Sequence, residues 1–343
     1  DLTSGYSNVL IGRDAGVNIT TAGNIIAIGT GALDAATTTG FVDGATAIGT
    51  NAATNVTGAT QTTAVGYRAL ENNVTGAYST AVGYDAGKTS MNSANTSIGA
   101  SAGQYLGDGT NNVAIGYQAL SGTTFTDATQ AGAIGSGTTI TMDGANADIL
   151  VGMVVTGSGI APGSKVATVA SSSANPQVFV LNQAVASSVA GGTTLTFYQN
   201  QGDYNIAIGN NTLDAVTSGS SNIAIGYSAG SAMTEGQSNI AIGFGALDAA
   251  NGVGSGAEAY NVAIGQNAMG AETTGAQYCT AVGYNALLSQ NADVKNTAIG
   301  GLAGDAIDDG DQNTLVGYQA GSAISGGDAN TAIGHGAYGS GTG

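Results

Sequence analysis

A three-residue core, Ala-Ile/Val-Gly, recurs fifteen times along the chain. Its glycines are Gly12, Gly29, Gly49, Gly66, Gly83, Gly99, Gly116, Gly209, Gly226, Gly243, Gly265, Gly283, Gly300, Gly317 and Gly334. Nine of the fourteen intervals between them are 17 residues, and the rest are 16, 18, 20, 22 and 93. Self-similarity at a fixed period of this size means that one small structural unit stacks on copies of itself. The 20 and 22 intervals place longer loops around 37–44 and 251–260. The 93 interval is one repeat plus an insertion.

The slots of the repeat are sharply typed. Ile or Val always precedes the glycine, as at Ile28, Val82, Ile225 and Ile333, and Val, Ile or Thr always stands three before it. The slot between them is Ala in twelve copies, with Leu10, Ser97 and Leu315 as exceptions. Four before the glycine is Asn in ten copies, among them Asn95, Asn112, Asn205, Asn222, Asn239, Asn261, Asn296, Asn313 and Asn330. Ala stands three after the glycine in every copy but the one with Thr212, followed mostly by Leu or Gly.

These slots predict a parallel β-solenoid, a β-roll or β-helix of about fifteen 17-residue coils, each with two short strands and two turns. Stacking turns every slot into a column. β-branched residues two apart share one face of a strand, so the Ile/Val columns are expected to fill a dry interior. The Ala column, beside Asn, then faces outward and calls for a neighbouring subunit to cover it. The Asn slot is expected to form a ladder of side-chain amides. The repeat glycines are structural, allowing a tight bend or a close backbone approach. The density of Gly and of β-branched residues argues against helices.

Composition removes whole classes of function. Five basic residues against 22 acidic give a net charge of −17. A nucleic-acid groove needs Lys and Arg, so nucleic acid is not a partner. No apolar run has the length of a membrane-spanning helix, so membrane insertion is not expected either. Cys279 is the single cysteine, so no intrachain disulfide forms. With two prolines and no Gly-X-Y period the chain is not collagen.

Between Leu120 and Asn205 the repeat stops, and the chain reads as three parts. Residues 1–122 and 200–343 are solenoid, and residues 123–199 are an inserted β-sandwich. Strand-like runs lie at 133–134, 138–142, 153–155, 164–169, 177–181 and 193–198, with Pro162 and Pro176 in turns. Such spacing suits a small sandwich or barrel. An insertion leaves a solenoid through a loop, so this module is expected as a lateral knob.

Units such as Asn222-Ile-Ala-Ile-Gly-Tyr-Ser-Ala-Gly230 and Asn313-Thr-Leu-Val-Gly-Tyr-Gln-Ala-Gly321 resemble two related repeat families. One is the head of trimeric autotransporter adhesins, and the other is a repeat of phage tail fibres. The period of 17 is closer to the second. The resemblance implies a homotrimer on a virion surface or outside the cell, a fibre protein that attaches to a host-surface glycan or protein. A bacterial surface adhesin and a self-assembling extracellular filament are the alternatives.

An enzyme is not expected, and no catalytic residue is assigned. The single histidine, His335, follows a repeat glycine, a slot that is aromatic at Tyr67, Tyr84, Tyr117, Tyr227, Phe244, Tyr284 and Tyr318. His335 therefore reads as a slot variant, and the aromatic slot as a packing row with carbohydrate stacking as its alternative. Cys279 occupies the Asn slot. Asp305, Asp308, Asp309 and Asp311 share one turn and are candidate Ca2+ ligands, the only cofactor the sequence suggests. Recognition is assigned to residues 123–199, the one long unrepeated surface, with a spacer or a subunit clamp as the alternative.

Overall fold

The structure, a computed structural model, describes residues 5–34, 42–122, 124–128, 137–143, 149, 151, 153–161, 164–169, 177–198, 202–249, 259–271, 276–290 and 295–339. Among them there are strands and turns but no helix, and the fold is an all-β parallel solenoid. Each repeat core becomes one three-residue strand. The first seven are β1 (Val9–Ile11), β2 (Ile26–Ile28), β3 (Thr46–Ile48), β4 (Thr63–Val65), β5 (Thr80–Val82), β6 (Thr96–Ile98) and β7 (Val113–Ile115). The insertion carries β8 (Thr124–Ala128), β9 (Thr139–Thr141), β10 (Val154–Thr156), β11 (Val166–Val169), β12 (Val178–Leu181) and β13 (Thr194–Tyr198). The solenoid resumes with β14 (Ile206–Ile208), β15 (Ile223–Ile225), β16 (Ile240–Ile242), β17 (Val262–Ile264), β18 (Thr280–Val282), β19 (Thr297–Ile299), β20 (Thr314–Val316) and β21 (Thr331–Ile333).

The chain divides into two compact units. The first comprises Asp1–Asn95, Gln104–Thr110 and Gly122–Gln201 and holds β1–β5 together with the insertion. The second comprises Thr96–Gly103, Asn111–Ser121 and Gly202–Gly343 and holds the other ten solenoid strands. Pairing in both is parallel and slot on slot, as in Ile206 with Ile223, Ala207 with Ala224 and Ile208 with Ile225. The ladder passes straight across the insertion, since β14 pairs with β7 through Ile206 and Val113.

The expected two strands per coil reduce to one, and the reason is backbone geometry. Three slots, five before, two after and four after the glycine, adopt left-handed φ. Around Gly283 they are Tyr278 (φ 58°), Asn285 (51°) and Leu287 (49°). A left-handed residue cannot continue a strand. Elsewhere in the coil, pairing survives only as isolated bridges such as Gln237 with Ala259.

The face assignment is also reversed. Ala47, Ala64, Ala81, Ala207 and Ala224 are fully buried, whereas Ile48, Val82 and Ile225 are exposed on the outer face. Alternation places the Asn and Ala slots together inside and the two β-branched slots together outside. A 17-residue coil with left-handed corners is too narrow for opposing rows of Ile. Its bulk enters from the turns instead, through Leu33, Leu70, Leu213 and Leu287 and through Val56, Leu106, Met233 and Ile307. The Ala column therefore needs no partner subunit to cover it.

The insertion forms two three-stranded antiparallel sheets, β10-β13-β8 and β11-β12-β9. Their apolar residues share one cluster that includes Ile140, Met142, Val155, Phe179, Leu195 and Phe197. Phe179 of β12 meets Phe197 of β13 edge-on, with centroids 5.5 Å apart. The strand β8 was not among the expected runs. The run at 133–134, Pro162 and Pro176, most of the loop at 37–44 and most of that at 251–260 lie outside the described residues.

Candidate functional site

Three consecutive coils, those of β3, β4 and β5, stack equivalent turn residues. Asn55 donates its backbone N–H to Glu71 O, and Asn72 donates to Lys88 O. The side chains follow the same spacing. Asn55 Nδ2 donates to Asn72 Oδ1 at 2.8 Å, and Lys88 Nζ stands 3.8 Å from Glu71 Oε2. Against this row the inserted module folds back. Val154 and Tyr198 cluster with Met91, and Tyr105 packs on that cluster. Lys165 pairs with Asp108 at the same junction.

A cleft of about 280 Å³ remains between the two surfaces. Asn55, Glu71, Asn72 and Lys88 line its solenoid side. Thr156, Gly157, Ile160, Ala161 and Tyr198 line its other side. Thr156 Oγ1 and Tyr198 Oη are hydrogen-bonded at 2.9 Å. Burial pushes the Glu71 carboxyl above its usual range, against the pull of Lys88 and Arg68. Burial also raises the Tyr198 phenol, partly countered by the bond to Thr156.

The charges around the cleft are already matched. Arg68 Nε and Nη2 both reach Asp85 at 2.8 Å, and its guanidinium lies 4.8 Å from the centre of the Tyr67 ring. Arg68, Lys88 and Lys165 are three of the chain's five basic residues, and each has an acidic partner in the same unit. The cleft is therefore polar but close to neutral.

No known protein family matches the sequence, and neither any curated protein nor any solved structure is significantly similar to it. What the surfaces can do must be read from their own chemistry.

The outer strand face is a second surface. In the first unit it presents Ile26, Ile48 and Val82, and in the second Ile98, Ile225, Ile264 and Ile299, all exposed. The aromatic slot borders it. Tyr67 stacks on Tyr84 at 5.4 Å and Tyr227 on Phe244 at 5.3 Å. Each ring covers one face of its partner, the arrangement of a packing row, and all four rings remain exposed. His335 stacks on Tyr318 at 5.4 Å, in line with the slot. Further aromatics stand five before the glycine, a slot with no assigned role above. It contains Tyr78, Tyr204, Tyr260 and Tyr278, and Tyr260 stacks on Tyr278 at 5.1 Å. The signal is tyrosine recurring four times in one slot.

The asparagines lie inside and serve mainly the backbone. Asn205 Oδ1 accepts the N–H of Asn222 at 3.0 Å, and Asn222 Oδ1 accepts that of Asn239 at 3.0 Å. Their Nδ2 groups donate to turn carbonyls, as Asn222 does to Gly236 O at 2.7 Å. Amide-to-amide contacts are secondary, at 3.1 Å for Asn222 on Asn205. Asn95 bonds Gly109 O at 2.8 Å and Asn112 bonds Gly202 O at 3.0 Å. Asn261 bonds Ala276 O, Asn296 Gly310 O and Asn313 Gly327 O, while Asn330 donates to Asn313 Oδ1.

Cys279 is buried and stands in the ladder with a thiol in place of an amide. Its N–H reaches Asn261 Oδ1 at 3.0 Å. Gln290, buried in the adjoining turn, donates to Cys279 Sγ at 3.1 Å and accepts from Asn296 Nδ2 at 3.3 Å. It stands in a slot that is apolar at Val216, Met233 and Ile307 and polar at Asn73 and Ser90, so the slot carries no cue to its role.

Among the described residues no group of three or more His, Cys, Asp or Glu is arranged to hold a metal ion. The structure thus does not gather Asp305, Asp308, Asp309 and Asp311 around a common point. Asp308 and Asp309 are exposed, and both donate backbone N–H groups to Ser325 O. Asp311 N–H reaches Asp328 Oδ1, which makes the turn a link to the next coil.

Proposed function

We propose that the chain is a structural and adhesive fibre protein of the phage tail-fibre kind, a homotrimer on a virion surface that attaches to a host-surface glycan or protein. The observation that carries this reading is the exposed β-branched face, exemplified by Ile48, Ile225 and Ile299. Exposed apolar side chains repeated in this way in each unit mark association. The occupant of this face is a second and a third copy of the same chain. The ridges repeat at the spacing of paired strands, about 4.8 Å, and only a surface with that spacing interlocks with them rung by rung. The face is also uncharged, so copies with a net charge of −17 meet where they do not repel. Three copies, rather than two, come from the likeness of the repeats to fibre and adhesin-head repeats.

Antibodies against the chain should decorate a thin appendage on virions, and sedimentation should give three times the chain mass of 33.0 kDa. Decoration of bacterial envelopes alone would move the protein to the surface-adhesin class. A stable monomer at micromolar concentration would remove the fibre reading.

A further inference from the structure

We propose that the cleft between the inserted module and the coils of β3–β5 binds a neutral saccharide unit. This rests on the adhesive reading above and names its recognition site. The polar inventory of the cleft is the first argument. Asn55 and Asn72 use one amide group each on their mutual bond, which leaves Asn55 Oδ1 as an acceptor and Asn72 Nδ2 as a donor. Glu71 and Lys88 stand 3.8 Å apart, outside direct hydrogen-bond length, so a hydroxyl can bridge them. The site thus offers two acceptors and two donors on one wall. Vicinal hydroxyls, which both donate and accept, are the small groups that satisfy such a mixture.

The second argument is the opposite wall. Ile160, Ala161 and the ring of Tyr198 give it an apolar surface, suited to the C–H face of a pyranose. A volume of about 280 Å³ holds one sugar ring and part of a second. The third argument is charge. Arg68, Lys88 and Lys165 each face a carboxylate, so a uronic or sialic acid would compete with Asp85, Glu71 and Asp108 for them and would meet a chain of net charge −17. The ligand is therefore uncharged. The position also makes sense of the insertion. Elsewhere the slot of Asn55 and Asn72 is often Ala, as at Ala215, Ala232 and Ala306, and where the polar turns of Asn55, Glu71, Asn72 and Lys88 follow one another the module closes over them as a second wall.

Saturation-transfer NMR on the full chain, with methyl glycosides of glucose, galactose, mannose and N-acetylglucosamine, tests the site directly. At least one glycoside is expected to receive transfer at millimolar concentration. Glu71→Gln and Asn72→Ala should each weaken it about tenfold, the loss expected when a buried polar contact goes. Unchanged circular dichroism and melting in both variants separate this from unfolding. If none of the four glycosides binds at 10 mM (roughly the weakest affinity a single-sugar site of this size shows), or if both variants bind like the native chain, the assignment is wrong. Host-cell binding by the same proteins keeps the two readings apart. Cells that bind native chain and both variants equally would overturn the cleft and leave adhesion standing. Glycoside binding without any cell binding would remove the adhesive reading and leave the cleft.

Discussion

Tyr198, the last residue of β13, lies against Tyr105 of the solenoid with ring centroids 4.9 Å apart and the planes tilted by 37°. This contact, with Val154 on Met91, ties the inserted module to its unit. Tyr198→Ala should cost about 3 kcal/mol, the usual loss for a buried aromatic side chain. Tyr198→Phe loses only the bond to Thr156, about 1 kcal/mol. Chemical denaturation checks both, and limited proteolysis should show the module of the Ala variant cut first. Equal losses for the two variants would make the hydroxyl, not the ring, the anchor.

Neighbouring positions on β15 should respond in opposite ways to the same substitution. Ala224 is 0% exposed and Ile225 36%. Ala224→Asp places an unpaired charge inside the coil and should destabilise by more than about 3 kcal/mol. Ile225→Asp should leave the fold of the subunit within about 1 kcal/mol, yet abolish the proposed trimer. Circular dichroism and sedimentation, run on both, separate folding from association. An unfolded Ile225→Asp chain would restore the dry Ile/Val column that the slots alone suggest.

The repeat glycines differ in what lies beyond them. A Cβ on Gly226 (φ +134°) would come within 2.5 Å of Gly243 O in the next coil, whereas one on Gly334 (φ +121°) meets nothing within 4 Å. Both substitutions to Ala carry backbone strain of about 1–2 kcal/mol. Gly226→Ala adds a backbone clash and should cost about 2 kcal/mol more than Gly334→Ala. Melting temperatures of the two variants provide the comparison, and equal shifts would show that φ alone selects glycine.

Cys279→Asn puts a stronger amide acceptor and donor in place of a thiol, and should raise stability by about 1 kcal/mol. Gln290→Ala should then cost less in that background than in the native chain, because Gln290 now bonds Cys279 and Asn296. A double-mutant cycle measures the difference. Strict additivity would mean that Gln290 does not substitute for the missing amide.

Asp214, Ser231 and Asp248 occupy one slot in three consecutive coils, and Ser231 hydrogen-bonds to Asp248. Burial, with a contribution from the charge of Asp248, raises the Asp214 carboxyl to about 6. A raised native pKa means that the folded state holds the proton more tightly than the unfolded chain. The associated stability is complete below about pH 4 and is lost as pH rises to about 6. Asp214→Asn should therefore raise stability at pH 7, and remove part of the fall between pH 4 and 7. The side chain is half exposed, so solvent screening limits the effect to about 1 kcal/mol. Parallel pH titrations of melting temperature in the two proteins give the answer, and superimposable slopes would show that Asp214 keeps an ordinary pKa.

Much of the architecture is legible in residue order, because a solenoid is set by local repetition. The period of 17, the strand triplets and the in-register columns follow from Gly12 to Gly334 by counting. The parity of the strand is equally local, since Ala224 and Ile225 must point opposite ways. Which of them points inward is not local. It depends on the width of the closed coil, which is fixed by left-handed residues such as Ser221 and Ser228 that carry little signature in sequence. Small Ala side chains fit that width, so hydrophobicity alone gave the wrong face. The cleft was beyond sequence for a related reason. Asn55, Glu71, Asn72 and Lys88 look like ordinary polar turn residues, and Tyr198 lies 110 residues after Lys88. Only the folding back of the insertion brings them together, through side-chain packing between segments that no repeat period relates.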